Sequence, residues 1–352
     1  MRTQWTLVTG ASGFVGSMLV RRLVERGEHV KAFVRPGANL SVFEGLSQDR
    51  LELTYGDLTV AHTVYRSLAG CTRLFHVASP FRYWSPRPEQ ILQPAIEGTR
   101  AVLEAAGRRK NIERIVVTSS AGVLGVADGD ELLDEGHAFN LQDPEIYVRA
   151  KIEANRVVED QLAAGLPIVS VMPTTIFGPG DWKPTPNGRL LLEYLSLKPG
   201  RRVPATEGGV SIVDVEDVAD GHILAMQRGR IGESYLLGGD NLTYRQLFGL
   251  LHELTGLAEP GKAPSPGMLG LVGRALEMWA GWTQREPLLT YRLARDYAFN
   301  KVWVTSKKAE TELGYTHRPA REALTRALRW YLRHDYVPQP LASRVRLELR
   351  PA

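Results

Sequence analysis

The sequence predicts a doubly wound α/β fold: a parallel sheet with helices on both faces, joined to a smaller and mainly helical part. Three observations carry this expectation. Short apolar runs alternate with amphipathic segments through the first half of the chain. A glycine-rich turn, Gly10-Ala-Ser-Gly13-Phe-Val-Gly16, joins the first run to the first amphipathic segment. Beyond Met172 the texture changes to proline-rich and then helical sequence. Continuous apolar runs, rather than alternating ones, are what strands covered on both faces require.

The strand candidates are residues 5–8, 30–34, 51–55, 73–77, 114–119 and 168–172, with helices expected near 14–26, 60–69, 89–106 and 144–164. In the first unit Phe14, Met18, Leu19, Val20, Leu23 and Val24 recur at helical spacing, and Gly27 is the expected C-cap. A turn in this place holds backbone N–H groups and the positive end of a helix dipole against a diphosphate. Gly10 and Gly13 would allow the tight turn and the close approach of the ligand, and Gly16 would let the helix sit against the sheet. A glycine triplet alone also suits an ordinary strand-to-helix turn; the flanking strand and helix favour the dinucleotide reading.

Residues 173–188, with Gly178-Pro-Gly180 and Lys183-Pro-Thr-Pro186, read as a long ordered loop leaving the sheet. Residues 213–226 read as a return to it, a short strand followed by a helix carrying Asp214 and Asp217. Residues 267–282 gather Met268, Leu269, Leu271, Val272, Leu276, Met278, Trp279 and Trp282, with Arg274 and Glu277 as the only charges. Lacking a basic face, this helix is expected to lid an apolar pocket rather than lie on a membrane. Residues 337–352 read as a loosely held basic tail. The chain thus divides into a dinucleotide-binding part (1–172, with a returning segment near 211–237), a substrate-binding part (173–210 and 238–336) and the tail.

At 352 residues and 43% hydrophobic, the chain can bury one large core or two joined ones. Its net charge of +4 suits an anionic ligand but is too small to argue for nucleic acid. The positive charge is scattered, apart from Arg108-Arg-Lys110 at a helix end and Arg344, Arg346 and Arg350 near the C-terminus. Cys71 is the only cysteine, which excludes an intrachain disulfide and a cysteine-based metal site. No signal-peptide pattern and no apolar run of about 18 residues are present, so a soluble, cytoplasmic protein is expected. No spacing of His, Asp or Glu suggests a metal, and His76 is expected to be structural.

The chemistry points to Tyr147-Val-Arg-Ala-Lys151 and Thr118-Ser119-Ser120-Ala121. Tyr147 and Lys151 stand four apart on a helix expected to open at Asp143-Pro144, so they share a face. Ser120 lies just past the fifth strand, at the carboxyl end where ligands of such sheets bind. A phenol titrates near pH 10 in water. A neighbouring ammonium, and the charge of an oxidised nicotinamide, favour phenolate and make it a usable acid or base. A serine can donate a hydrogen bond to the reacting oxygen.

These residues resemble the extended short-chain dehydrogenase/reductase family, the NAD-dependent epimerase/dehydratase superfamily, with TGASGFVG, the upstream Ser and Tyr-x-x-x-Lys in family order. Val213-Asp-Val-Glu-Asp217-Val-Ala and Glu312-Leu-Gly-Tyr-Thr-His-Arg-Pro319 extend the resemblance over almost the whole chain. It implies a Rossmann fold in which Tyr147 gives or takes the proton, Lys151 tunes it and binds the nicotinamide ribose, and Ser120 polarises the carbonyl. Asp57, in Tyr55-Gly-Asp57-Leu58, would contact adenine. The implied cofactor shell is Gly10, Ser12, Gly13, Phe14, Val15, Gly16, Arg35, Asp57, Leu58, Val77, Ala78, Ser79, Thr118, Ser119, Tyr147, Lys151, Pro173, Thr174 and Thr175.

Within the family, sugar-nucleotide epimerases commonly carry asparagines where this chain has Thr175 and Ala95, and sugar dehydratases carry Asp-Glu where it has Ala121-Gly122. Phe75-His-Val-Ala-Ser-Pro80 and Thr118-Ser-Ser-Ala-Gly122 instead look like dihydroflavonol 4-reductase and its bacterial relatives. The layout including Gly180-Asp-Trp-Lys-Pro-Thr-Pro186 is similar to a bacterial subgroup labelled hopanoid-associated sugar epimerase. The second strand ends Ala32-Phe-Val-Arg35-Pro36 with no carboxylate for a ribose 2′-hydroxyl, and Arg35 could pair with a 2′-phosphate, so NADP(H) is expected over NAD(H). Phe81, Tyr83 and Trp84 after the fourth strand, with Phe177 and Trp182 in the proline-rich loop, are the candidate substrate contacts.

The expected activity is therefore NADP(H)-dependent interconversion of a hydrophobic or ring-bearing ketone or aldehyde and its alcohol. The alternative is a sugar or nucleotide-sugar epimerase with tightly bound cofactor. A non-catalytic dinucleotide sensor would tend to lose the Tyr and Lys retained here. The expected partner is a small molecule, not nucleic acid; a homodimer stays open.

Overall fold

Leu7, Val8, Ala32, Leu74, Phe75, Val116 and Val169 are wholly buried at the centre of seven parallel strands, which is why their segments carry no polar alternation. The computed structural model describes residues 4–347, so Arg350 of the C-terminal basic group lies outside the described residues. The chain opens with β1 (Trp5–Thr9), α1 (Phe14–Glu25), β2 (His29–Val34), β3 (Leu51–Tyr55), α2 (Ala61–Ser67) and β4 (Cys71–His76). It continues with α3 (Glu89–Gly107), β5 (Arg114–Thr118), α4 (Ile146–Ala163) and β6 (Ile168–Pro173). The sheet runs β3-β2-β1-β4-β5-β6 and winds outward in both directions from β1 and β4. The crevice over the carboxyl ends of those two strands is the switch point where such sheets bind ligands.

Past β6 come β7 (Thr175–Phe177), α5 (Pro186–Leu195), β8 (Arg202–Ala205), β9 (Gly209–Asp214), α6 (Val215–Arg228) and β10 (Ser234–Leu237). The remainder holds β11 (Asp240–Thr243), α7 (Tyr244–Thr255), β12 (Glu259–Lys262), α8 (Pro266–Thr283), α9 (Tyr291–Asp296), β13 (Lys301–Val302), α10 (Lys307–Leu313), α11 (Ala320–Arg333) and α12 (Gln339–Ala342). α3 packs on α4, and α1 on α6. A second core of Leu191, Tyr194, Leu195, Leu247, Leu251, Leu324 and Leu328 lies beside the sheet.

Four expectations change. The strand before Asp214 does not rejoin the main sheet: β9 is bonded to β7, β11 and β13, and the free edge of β6 is filled by β10, from Ser234 opposite Ser170 to Leu237 opposite Pro173. The stretch 173–188 is only partly loop, since it holds β7 and the start of α5, whose Thr185 side chain caps Gly188 N–H ahead of Pro186. The C-terminal segment is held: Val337 is buried, Leu341, Val345 and Leu347 pack on the second core, and Arg346 N–H donates to the Thr255 carbonyl at 2.9 Å. Finally, α8 turns its apolar side chains outward and seats a small-residue face of Gly270, Gly273 and Ala280 on the body. Among the described residues no helix is long and apolar enough to cross a membrane.

The two parts are tied by a charge network at the start of α6. Arg318, just before α11, reaches Asp214 at 3.2 Å, Glu216 at 2.9 Å and Asp217 at 3.3 Å, and its N–H donates to Asp217 at 2.8 Å. Arg326 adds a contact to Asp214 at 3.2 Å. Burial pushes the Asp214 carboxyl up to about 6 against the pull of Arg326 and Arg318. Removing one partner strands buried charge, which typically costs roughly 3–5 kcal/mol. Arg318→Ala should therefore destabilise by about 3 kcal/mol in urea unfolding at neutral pH, whereas an exposed control such as Arg156→Ala should change stability little.

Candidate active site

The glycine turn is built by close backbone contacts. Gly10 sits at φ +67°, and Gly13 N–H donates to its carbonyl at 2.9 Å. A Cβ on Gly10 would lie 2.7 Å from the Ala78 backbone, so this glycine admits the chain leaving β4 across the switch point. A Cβ on Gly16 would lie 2.1 Å from the Gly10 carbonyl oxygen. Gly16 thus seats the first turn of α1 on the loop itself, not on the sheet as its spacing suggests. Gly13 is the N-cap of α1, no side chain caps the helix, and its first turn holds no acid. Its leading N–H groups, from Phe14 and Val15 onward, have no carbonyl within the helix to bond, and a helix end of this kind attracts an anion. Ser12, Phe14 and Val15 are half-buried around this turn.

Val77, Ala78 and Ser79 follow β4 and are half-buried, while Arg35 and Asp57 stand exposed just past β2 and β3. The Asp57 carboxylate accepts from Thr59 Oγ1 at 2.7 Å and Thr59 N–H at 2.8 Å. These bonds, helped by the Arg35 charge, hold it below its ordinary range. Leu58 packs partly into the core under α2 and α3.

At the ends of β5 and β6 the side chains converge. Lys151, buried on α4, donates to the Thr118 carbonyl at 2.7 Å, and the Thr118 hydroxyl lies 2.8 Å from His222 Nε2. His222 Nδ1 faces the Val218 carbonyl at 2.7 Å and so carries the proton. Burial holds His222 down to about 4, neutral, so Nε2 accepts from Thr118. Ser120 caps the short turn at 121–124 by accepting from Gly122 N–H at 3.2 Å, and its hydroxyl meets the Tyr147 phenol. The rings of Phe81 and Tyr83 stand 4.8 Å and 6.0 Å from that of Tyr147. Two buried hydroxyls in this region, Ser119 Oγ and Thr174 Oγ1, have no hydrogen-bond partner among the described residues. Pro173 ends β6, and Thr175 lies in β7 opposite Ile212. His76 is fully engaged, with Thr9 at 2.8 Å and Thr99 at 3.1 Å.

Burial reverses the expected ionisation. It pushes the Tyr147 phenol up to about 12, and only the Ser120 hydrogen bond pulls it back. Burial likewise draws Lys151 down to about 8. Within the polypeptide the ammonium is committed to the Thr118 carbonyl, and its charge does not offset the loss of water around the phenol.

Phe177 and Trp182 do not join the aromatic wall. Phe177 is buried in the second core, and Trp182 packs edge-on against Trp330 and His334 at 5.1 and 4.9 Å. The strand β7 carries them away from the main sheet, which a proline-rich loop would not have done. Trp84 is half-buried beside Tyr83.

Glu145 is the residue that sequence reasoning missed. α4 begins at Ile146 instead of Pro144, with Asp143 held at φ +45°, and Glu145 is its N-cap. One carboxyl oxygen accepts from Tyr147 N–H at 3.3 Å and the other from Thr290 Oγ1 at 3.3 Å. Asp-Pro was the more obvious opening signal and concealed the carboxylate two positions on. Tyr83 N–H donates to Glu286 at 2.7 Å, and Glu286 pairs with Arg189 at 2.7 Å, which anchors the aromatic wall to α5.

The model of the NAD dependent epimerase/dehydratase family matches residues 6–238. The chain belongs to that family. A protein of Synechocystis sp. provisionally named dihydroflavonol 4-reductase is 32% identical over 94% of this chain and 95% of its own length. Sterol demethylase protein B of Methylococcus capsulatus is 31% identical over 93% and 98%. The crystal structure of gox2253 superposes with a TM-score of 0.80 at 37% identity, covering 94% of this chain and 98% of that one. Members take a nicotinamide cofactor. The site fits one: an uncapped helix N-terminus, a glycine cradle that a Cβ would fill, and two orphaned hydroxyls at the strand ends. Among the described residues no group of His, Cys, Asp and Glu could hold a metal ion.

The Glu145 carboxyl gives a pH test. Burial raises it from 4.5 to about 8, so the folded protein retains a proton that the unfolded chain releases above 4.5. The stability this contributes is complete below 4.5 and is lost as pH rises through 8. Glu145→Gln, which cannot ionise, should gain on the wild type by on the order of a few kcal/mol between pH 5 and pH 9. Urea unfolding at pH 5, 7 and 9 measures it; a constant difference across that range contradicts a buried neutral carboxyl.

Proposed function

We propose that the protein is an NADP(H)-dependent oxidoreductase interconverting a hydrophobic, ring-bearing ketone or aldehyde and its alcohol. The observation that carries this reading is the packing of Phe81 and Tyr83 around the Tyr147 phenol, an aromatic wall beside the Tyr147 and Lys151 pair. Flat apolar rings suit a ring-bearing substrate better than a hydrated sugar. Ala95, where epimerases commonly carry asparagine, is buried among Ile91 and Ala150, between α3 and α4, and offers no polar group. The names of the two relatives, a flavonol-type reductase and a sterol-processing protein, point the same way.

In the reducing direction the Tyr147 hydroxyl gives its proton to the carbonyl oxygen while the Ser120 hydroxyl donates a hydrogen bond to the same atom. The bound dinucleotide supplies the hydride. A phenol at about 12 is protonated at neutral pH and starts as the acid. Lys151, held by Thr118, binds the nicotinamide ribose and favours the phenolate once the proton has left. Leading N–H groups of α1 take the diphosphate, and Ser119 and Thr174 offer hydroxyls to the nicotinamide end. Arg35 takes a 2′-phosphate, while Asp57 stays ionised beside it and faces adenine. Phe81, Tyr83 and Trp84 contact the substrate.

Tyr147→Phe should fold as the wild type and lose at least about a hundredfold in turnover, because only the proton donor is gone; Lys151→Ala should lower both turnover and cofactor affinity. Near-normal rates in the phenylalanine variant would refute the mechanism. Arg35→Ala should weaken NADPH by roughly 1.5–3 kcal/mol, tenfold or more, and NADH far less. Titration of both cofactors decides it, and equal weakening would refute the 2′-phosphate role. Micromolar calorimetric binding of UDP-glucose, with sugar interconversion in the absence of added NADPH, would establish the epimerase in place of the reductase.

A further inference from the structure

α8 presents an unbroken apolar stripe to solvent. Met268, Leu271, Val272, Met278, Trp279 and Trp282 recur at helical spacing on one side, with Leu271 and Met278 each 68% and Trp282 91% exposed. The stripe is about 21 Å long at 1.5 Å per residue. Its direction is fixed from beneath. A Cβ on Gly273 would lie 2.8 Å from the Thr290 carbonyl, one on Gly270 would lie 3.3 Å from the Tyr291 ring, and Arg274 stacks over that ring at 4.3 Å. A helix free to roll would bury its leucine and tryptophan side chains; this one cannot, because its glycines are what fits the body. Single exposed apolar residues are ordinary, but a contiguous patch of this kind marks a contact surface.

We propose that α8 docks the protein onto an anionic lipid bilayer, its apolar stripe lying in the headgroup boundary. Charge chooses this occupant. Lys262 precedes the helix, and Arg285 and Arg82 stand at its far end, where Tyr83 N–H bonds to Glu286. All three cations are exposed, and the structure gives none of them an acidic partner among the described residues. Glu277, the one acid on the helix, is half-buried. A second copy docked across a two-fold axis would bring these unpaired cations face to face, whereas an anionic surface pairs them all. Trp279 and Trp282 lie at the Arg285 end, the level where indole rings and cations share the interface. The polar face that interfacial helices normally carry is replaced here by the glycine face packed on α9. This inference is independent of which carbonyl compound is reduced.

The test is flotation of the whole protein with vesicles of phosphatidylcholine alone and with added phosphatidylglycerol. Binding is expected to the anionic vesicles, to weaken in high salt, and to fall about tenfold in Leu271→Glu and Trp282→Glu. Arg285→Glu should lower it for anionic vesicles. Circular dichroism, and turnover of a water-soluble ketone, should stay as in the wild type for all three variants. Absence of binding to either vesicle, or binding unaffected by the glutamate substitutions, overturns the proposal. So does light scattering that shows a dimer converted to monomer by Leu271→Glu, which would make the stripe an interface between copies.

Discussion

A buried ammonium must find an oxygen, and the one Lys151 finds is the carbonyl of Thr118, the last residue of β5. That bond joins α4 to the strand end from one side of the sheet. The hydroxyl of the same residue is held by His222 of α6 from the other. One threonine therefore fixes a strand terminus, the Tyr147 helix and a helix of the opposite layer. His222 can fill this role only while neutral, and its burial, with the Lys151 charge nearby, keeps it so. Tyr147, one turn before Lys151, is then set against Ser120 at the mouth of the crevice.

Much of this was legible in the sequence. The six strands and four helices of the first half carry their own periodicity, and the glycine turn announces itself because backbone contacts at Gly10 and Gly16 exclude a Cβ. The Tyr, Lys and Ser could be placed because a four-residue spacing on a helix and the end of a parallel strand are both geometric statements. What the sequence could not say is which layer an apolar residue enters. Phe177 and Trp182 read as ligand contacts until β7 carries them into the second core. The stripe on α8 read as a buried lid, because hydrophobicity alone does not reveal that the glycines on its other side are the packed face. The C-terminal segment seemed aperiodic, yet Val337, Leu341 and Val345 follow at four-residue steps.

The ionisation pattern follows from dryness. Burial raises the Tyr147 phenol to about 12, draws Lys151 down to about 8 and lifts Glu145 to about 8, each toward its uncharged form. Lys151 retains its proton at neutral pH and is charged, whereas the phenol and the carboxyl, also protonated, are neutral. An anion in this crevice is thus expensive except beside Lys151 or another cation. In the proposed reaction a site arranged in this way would favour proton donation by the phenol, and the phenolate left behind would be a strong base that recovers its proton readily.

The start of α4 is where the two parts of the molecule meet. Glu145 caps Tyr147 N–H with one oxygen and takes the Thr290 hydroxyl with the other. Arg292 pairs with Asp143 at 2.8 Å, and Arg295 donates to the carbonyls of Gln142 and Asp143. α9, which supplies both arginines, is the platform on which Gly273 of α8 rests. The path from the exposed stripe of α8 to the backbone of Tyr147 therefore runs through three contacts: the close packing of Gly273 on Thr290, and the hydrogen bonds of Thr290 to Glu145 and of Tyr147 N–H to Glu145. Displacing α8 and α9 as a unit would take from the start of α4 both the Thr290 hydroxyl that holds its Glu145 cap and the two arginine clamps. The apolar stripe and the proposed proton donor are thereby held in register by the fold, although 120 residues separate Tyr147 from Met268 in sequence.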